Sequence, residues 1–407
     1  MFKNSTNKLT KLTFMLTNAI NILFRIAIPC TTLALAWYSL IIKPRQTLKP
    51  NFLFFLMVSL ISGIFLQSWF ALPLPLVALG IIASSIVTLC VQDIPPLALL
   101  MPVFCLVGAF TFQYQKNHAA MLLTCYGNQP ITLYGTISNK EECTGIFKEQ
   151  WRLSVSDLEL HNEKQSTSFN VLCYSKKITD LLPSDQIILH NVILKTSHTA
   201  SMSDKPTFAD YLMKEDALSS LFIDHKTSYT LQSRPIWSFN RWLWTKKMNL
   251  YHACKQKLSH ITFTYFSLIF LGNKYFAKYD SLRALFNQWG LAHFLARSGL
   301  HIVLFIFMWT FLLNLIPLPL QWKRIILLCC CFCYCMLSWI SISFIRAFLV
   351  FILTQLGALL ARPTHFLHLL TIACLLILLF NPIQLFFLDF QLTFGLTFTL
   401  ALLAHTI

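Results

Sequence analysis

Acidic side chains are almost excluded from two thirds of this 407-residue chain, and that distribution dictates its architecture. Thirteen of the 16 Asp and Glu residues lie between Lys116 and Lys257; only Asp93, Asp280 and Asp389 lie elsewhere. Outside that window the chain is a succession of apolar runs, at 26–42, 52–70, 74–91 and 97–112, and again at 298–316, 325–343, 347–360, 366–380 and 385–405. At about 1.5 Å of rise per helical residue most of these approach the thickness of a bilayer core, and the shorter ones need tilt or neighbours to cross it. With 56% hydrophobic and only 12% charged residues, the chain lies outside the soluble globular class. The predicted fold is a polytopic α-helical membrane protein with an inserted small β-barrel soluble domain. Four segments are expected: N-terminal membrane segments over 1–112, the soluble domain over 113–233, a basic amphipathic linker over 234–289, and a second set of membrane helices over 290–407.

Charge orients these segments. Of the net +16, only +4 falls between 116 and 257; the rest is spread over short loops between apolar runs. Placing Lys323 with Arg324, and Arg362, on the cytoplasmic side puts Asn381-Pro382 and the soluble insert outside. An external insert then requires three N-terminal crossings from an internal start or four from an external one; three are favoured, with one segment re-entrant or interfacial. Residues 1–25 are basic and amphipathic, and no small-residue cleavage site precedes Lys43, so the first apolar run is expected to be retained as a span.

Within the insert the period of the pattern shortens. The runs 131–138, 150–160, 168–175 and 186–194 are β-rich and partly alternating, Leu182-Pro183-Ser184-Asp185 is a turn, and 219–224 adds a fifth short strand. Five strands are too few for a sandwich and suit a small, partly open barrel of the OB type. Such barrels take single-stranded nucleic acid on aromatic and basic side chains, for which Tyr134, Trp151, Arg152, Phe169 and Tyr174 are candidates; the same aromatics equally suit a barrel core.

Residues 234–283 carry nine Lys and Arg against the single Asp280. Trp237, Trp244, Met248, Tyr251 and Leu258 share one helical face, with Arg241, Lys246, Lys247, Lys255 and Lys257 mostly off it, a pattern expected of a helix lying among lipid headgroups. Beyond it, polar groups open a membrane-length helix: His293, Arg297 and His301 are spaced by four and lie on one stripe, beside Ser298 and Gly299. Two readings fit that stripe, side chains snorkelling to an interface or groups facing a wetted pathway through the membrane.

The 13 cysteines form no ligand framework. Cys329, Cys330, Cys331, Cys333 and Cys335 lie in one apolar run without Asp, Glu or His beside them and read as small hydrophobes. Cys125, Cys143, Cys173 and Cys254 belong to the soluble part, where an oxidising compartment would permit one bridge. No Gly-rich phosphate loop and no nucleophile elbow is present, and Ser298 with His301 lacks an orienting carboxylate. No catalytic residue, metal site or cofactor is expected.

Several collinear stretches resemble the ComEC family of competence proteins. They are Lys205-Pro206-Thr207-Phe208-Ala209-Asp210-Tyr211-Leu212, Leu271-Gly272-Asn273-Lys274, and Gly290-Leu291-Ala292-His293-Phe294-Leu295-Ala296-Arg297-Ser298-Gly299-Leu300-His301. Phe344-Ile345-Arg346-Ala347, Asn381-Pro382 and Phe390-Gln391-Leu392-Thr393-Phe394 follow in order. The resemblance implies a multi-pass protein of the bacterial cytoplasmic (inner) membrane with an extracytoplasmic OB-like domain, acting in uptake of single-stranded DNA during natural transformation. It implies a DNA receptor outside and a helicase-like motor inside as partners. The pathway residues it points to are His293, Arg297, Ser298, Gly299, His301, Arg346, Gln391 and Thr393.

Two departures from the family pattern stand out. Arg297 and Asp389 each place a charge where the family usually has an aliphatic or small residue; two readings fit, that the charges compensate one another across the bundle or that selection on a degraded copy is relaxed. The sequence given ends at Ile407 and lacks the His-x-His-x-Asp-His signature of the metallo-β-lactamase-like domain with which many members finish, so no nuclease chemistry is expected, and a separate chain supplying that part is a further expected partner. Alternative readings are a small-solute transporter, or a truncated remnant or split subunit with a structural role.

Overall fold

The computed structural model describes residues 51–73, 75–77, 79–80, 83, 96–127, 129–143, 147–160, 163–194, 207–223, 229–272, 284, 286, 288–289, 299–339 and 341–406. The runs at 26–42 and most of 74–91 lie outside the described residues, as do His293, Arg297 and Ser298. The chain forms two compact units, Met1–Thr111 with Leu360–Pro382, and Phe112–Leu359 with Ile383–Ile407.

In the first unit, α1 (Asn51–Phe70) packs against the beginning of α2 (Pro96–Tyr126) and against α9 (Phe366–Phe380). Its sequence explains the close crossing. A Cβ at Gly63 would overlap the carbonyl of Cys105, and one at Gly108 would overlap the carbonyl of Leu60. Between apolar helices, backbone approach over small residues replaces the hydrophobic drive that lipid cannot supply. The crossing is tied by Ser59, whose hydroxyl donates to the carbonyl of Met101. Across α9, Leu370, Ala373, Cys374 and Leu378 are buried.

Helix α2 does not stop where the apolar run does. Pro102 lies inside it, and it continues to Tyr126, carrying Gln113, Gln115, Lys116 and Asn117 as helix. Gln113 Nε2 donates to Asn117 Oδ1 at 2.9 Å, an i,i+4 pair that favours helix through the polar stretch. The domain boundary expected at 113 therefore falls inside a helix, and the sheet begins at Pro130.

The sheet has six strands: β1 (Pro130–Glu142), β2 (Glu149–Leu160), β3 (Glu163–Ser175), β4 (Gln186–Ile193), β5 (Ser219–Ile223) and β6 (Tyr229–Ser233). Their order is β5-β3-β2-β1-β4-β6, parallel between β3 and β5 and antiparallel elsewhere. Five strands were expected; the sixth, β6, is a five-residue strand exposed along its length. Alternate residues Leu133, Leu153, Leu158, Val171, Ile187 and Leu189 are fully buried, as period-2 patterning requires. Bulges in β1 and β2 bend the sheet. Pro183 and Ser184 form the expected turn, with Ser184 left-handed at φ 71° and Asp185 N–H donating to the carbonyl of Leu182 at 3.1 Å.

Between β4 and β5 lies α3 (Phe208–Lys214), opened by a capping box in which Thr207 and Asp210 satisfy one another's backbone donors. After β6 come α4 (Phe239–Lys257) and α5 (His260–Phe266), the latter running into a π turn, Ser267–Leu271, closed by Gly272 at φ 76°. That left-handed conformation accounts for the glycine of the Leu271-Gly272 motif.

Helix α4 departs from expectation. Met248 and Tyr251 are buried, and with Phe263 and Leu271 they pack on Trp244, Leu258 and Trp339. The face assigned to lipid is thus largely a protein interface, because Trp339, distant in sequence, reaches it. Lys247 Nζ sits 3.7 Å from the Trp339 ring centroid, Arg241 and Arg234 pair with the buried Asp185, and Trp244 Nε1 donates to the carbonyl of Lys140 at 2.8 Å. Trp237 remains exposed.

Helices α6 (Gly299–Asn314), α7 (Leu320–Leu337), α8 (Ile342–Leu359) and α10 (Leu388–Thr406) complete the second unit, the last preceded by a 3-10 turn, Pro382–Phe386. Helix α7 starts earlier than the run 325–343, so Lys323 and Arg324 lie within its first two turns rather than in a loop. Arg324 Nη1 donates to the carbonyl of Ala358 at 2.9 Å, satisfying the end of α8. Ile302, Leu327, Cys331, Cys335, Phe344 and Phe348 share one core. Among the described residues three helical stretches are long and apolar enough to cross a membrane, Leu53–Phe70, Leu320–Leu337 and Ile342–Leu359, with Phe366–Phe380 and Leu388–Leu403 among the shorter apolar ones. Together these are the parts of a helical membrane protein that carries a mixed-sheet domain.

Candidate functional site

The sequence stretches singled out above meet where α6, α8 and α10 converge. Helix α8 carries Arg346, half-buried, three residues after Ser343. Helix α10 carries Thr393 and Thr397, one turn apart on one stripe. Arg346 Nη1 donates to the carbonyl of Thr393 and to the hydroxyl of Thr397. The hydroxyls of Ser343 and Thr393 are 2.9 Å apart, and Thr397 Oγ1 donates to the carbonyl of Thr393 at 2.6 Å. The guanidinium carbon lies 5.9 Å from the centroid of the Phe394 ring.

Among the described residues Arg346 has no carboxylate partner. A cation among apolar helices is costly and persists where neutral dipoles or water satisfy it. Here a carbonyl and a hydroxyl do so on one side, and the other side of the guanidinium faces the start of α6. A Cβ on Gly299 would stand 3.5 Å from Arg346 Nη2, 3.2 Å from the Cβ of Ala347 and 3.7 Å from the carbonyl of Ser343. The glycine thus leaves the room into which Nη2 projects.

The other expected pathway residues are placed differently. His301, in the first turn of α6, is buried at 8% exposure. Gln391 is exposed, and its Nε2 donates to the carbonyl of Leu385 at 2.9 Å, closing the 3-10 turn onto α10. His293, Arg297 and Ser298 lie outside the described residues. Thr397 and Ser343 were not singled out from sequence, although their spacing, four from Thr393 and three from Arg346, was the available signal.

The expected compensation between Arg297 and Asp389 involves a residue outside the described ones; Asp389 itself has a partner in the sheet domain. Asp389 Oδ2 accepts from Lys214 Nζ at 2.8 Å, in the last turn of α3. The two charges meet because α3 packs beside the 3-10 turn, where Gln384 Nε2 donates to the carbonyl of Lys214 at 3.4 Å.

In the sheet domain, burial divides the expected nucleic-acid contacts. Trp151 at 1% and Phe169 at 8% exposure are core residues and cannot reach a ligand. Arg152 Nη2 is 3.1 Å from Glu215 in a partly exposed pair. Tyr134 donates to Glu159 at 2.7 Å with Lys164 over its ring, and that bond to the carboxylate holds its hydroxyl above its ordinary pKa. Tyr174 stacks on Phe222 at 5.6 Å and approaches Phe147 at 5.5 Å. Burial, then Glu215, pushes the neighbouring Tyr211 up to about 12.

Cys125, Cys143, Cys173 and Cys254 are unbridged, and Cys331 and Cys335 are core positions of the helices. Among the described residues no three His, Cys, Asp or Glu side chains converge as a metal site requires.

No curated protein and no solved structure matches the chain. Residues 269–407, the stretch that holds Gly299, Arg346, Thr393 and Thr397, match the family model described as Competence protein, which supports a role in competence for this chain.

Proposed function

We propose that this chain is a membrane conduit component for single-stranded DNA during natural transformation, and that it acts without catalysis of its own. The observation that carries the reading is Arg346: a half-buried cation on an apolar helix, satisfied by neutral groups and left without a carboxylate among the described residues, within the stretch similar to competence proteins. A strand bearing one negative charge per nucleotide needs a path with positive charge and hydrogen-bond donors. Nη2 of Arg346 beside Gly299 offers both.

In this reading the sheet domain is a partly open OB-type barrel on the outer face of the cytoplasmic membrane. Pairing of β1 with both β2 and β4, the parallel β3–β5 pair and the bulged strands support that geometry. Tyr134, Arg152 and Tyr174 remain as surface contacts for the strand. Movement is supplied by partners, a receptor outside and a helicase-like motor inside.

The test is deletion of the gene from a competent host, followed by counts of transformants and of labelled DNA taken up. Both should collapse in the deletion strain and return with the wild-type chain, but not with Arg346→Gln. Normal uptake in the deletion strain would overturn the proposal.

A further inference from the structure

Helix α10 is gripped at both ends of one polar stripe. Asp389, Thr393 and Thr397 are spaced by four and lie along one side of the helix, each about 6 Å further along its axis. The first takes Lys214 from the sheet domain; the other two take Arg346 from α8. Lys214 is well seated: its side chain is 15% exposed, its ammonium also lies 4.4 Å from the centroid of the Phe387 ring, and its carbonyl accepts from Gln384. Asp389 lies in the first turn of α10, where a negative charge is favoured, and Lys214 in the last turn of α3, where a positive one is.

We infer that Lys214 and Asp389 are positioning residues: their ion pair sets the register of α10 against the sheet domain and thereby holds Thr393 and Thr397 where they meet Arg346. Only one helical turn separates Asp389 from Thr393, so a shift or rotation of the helix end is carried directly to the Arg346 contact. The inference depends on the conduit reading for its effect on DNA uptake alone; the register itself is measured without DNA.

Ser343→Cys and Thr393→Cys, placed in a chain whose native cysteines are replaced, stand where the two hydroxyls are 2.9 Å apart. Thr393→Cys keeps the backbone carbonyl that Arg346 uses. Oxidative cross-linking of this pair in native membranes should slow about fivefold with Lys214→Met or Asp389→Asn, the scale of one partly buried ion pair. It should recover in the charge swap Lys214→Asp with Asp389→Lys, and stay at the parental rate in Lys214→Arg. Unchanged cross-linking in both single variants, or a swap no better than either, overturns the inference. If the cysteine-replaced chain does not accumulate, a photo-cross-linking residue at Ser343 in the native chain, with capture of the α10 peptide read by mass spectrometry, gives the same comparison. Cross-linking that responds while uptake does not would leave the positioning pair standing and remove the conduit reading instead.

Discussion

Arg346 on α8 donates to the hydroxyl of Thr397 and the carbonyl of Thr393 on α10, so one guanidinium joins two helices through neutral acceptors. Hydrogen bonds between membrane helices contribute about 0.6 kcal/mol on average and up to about 1.7. Thr397→Val removes the hydroxyl at nearly constant shape and should lower thermal stability in detergent by that amount, with a modest loss of transformants. Arg346→Lys keeps the charge but not the planar fork; transformation should fall by about tenfold while the protein level in membranes holds.

Gly299 faces the guanidinium across the α6–α8 crossing, and the space is small. Gly299→Ala puts a methyl 3.2 Å from the Cβ of Ala347 and should be tolerated after a shift of a few tenths of an ångström, with transformation within about threefold of wild type. Gly299→Val adds branches that must displace Arg346 or part the helices. Transformant counts should drop by an order of magnitude or more, with unchanged membrane levels on immunoblots.

The sheet domain rests on a buried ion pair of a different kind. Lys140 Nζ lies 2.7 Å from Glu149 Oε1, with side chains 5% and 2% exposed. The ammonium also donates to the carbonyls of Thr179 and Leu181, and Thr179 donates to Glu149 through both its N–H and its hydroxyl. Removing one partner strands a buried charge, at a cost of about 3–5 kcal/mol. Glu149→Ala should therefore expose the 176–182 segment to limited proteolysis in the full chain, whereas Lys140→Met with Glu149→Leu should be protected more than either single change.

Burial first, and then Glu141 and Glu149, pushes the Cys143 thiol up to about 11. A raised thiol pKa means the folded state favours the neutral form, so the stabilisation is complete below the usual thiol value of about 8.5 and is lost as the pH rises toward 11. At pH 8 the thiolate fraction is about 0.1%, roughly two-hundredfold below an ordinary cysteine. Maleimide labelling read by peptide mass spectrometry should modify the exposed Cys125 well before Cys143, and the gap should close as the pH approaches 11.

Period and charge alone determined much of this protein. Long acid-free apolar runs commit to helices in lipid, because no other single segment satisfies its backbone there, and 366–380 was legible to the residue. Alternation in 131–194 fixed four strands, since a pleated strand buries every second side chain. The Arg346 and Thr393 motifs were likewise visible, and residues 269–407 carry the family match. What tertiary structure alone decided was which surfaces meet. Trp151 and Phe169 are core rather than contact because they lie on the buried sides of β2 and β3. The apolar face of α4 meets Trp339 rather than lipid, and Asp389 meets Lys214, 175 residues away. A sequence records the polarity of each face, but the partner that satisfies it is chosen by three-dimensional proximity, which spacing along the chain does not encode.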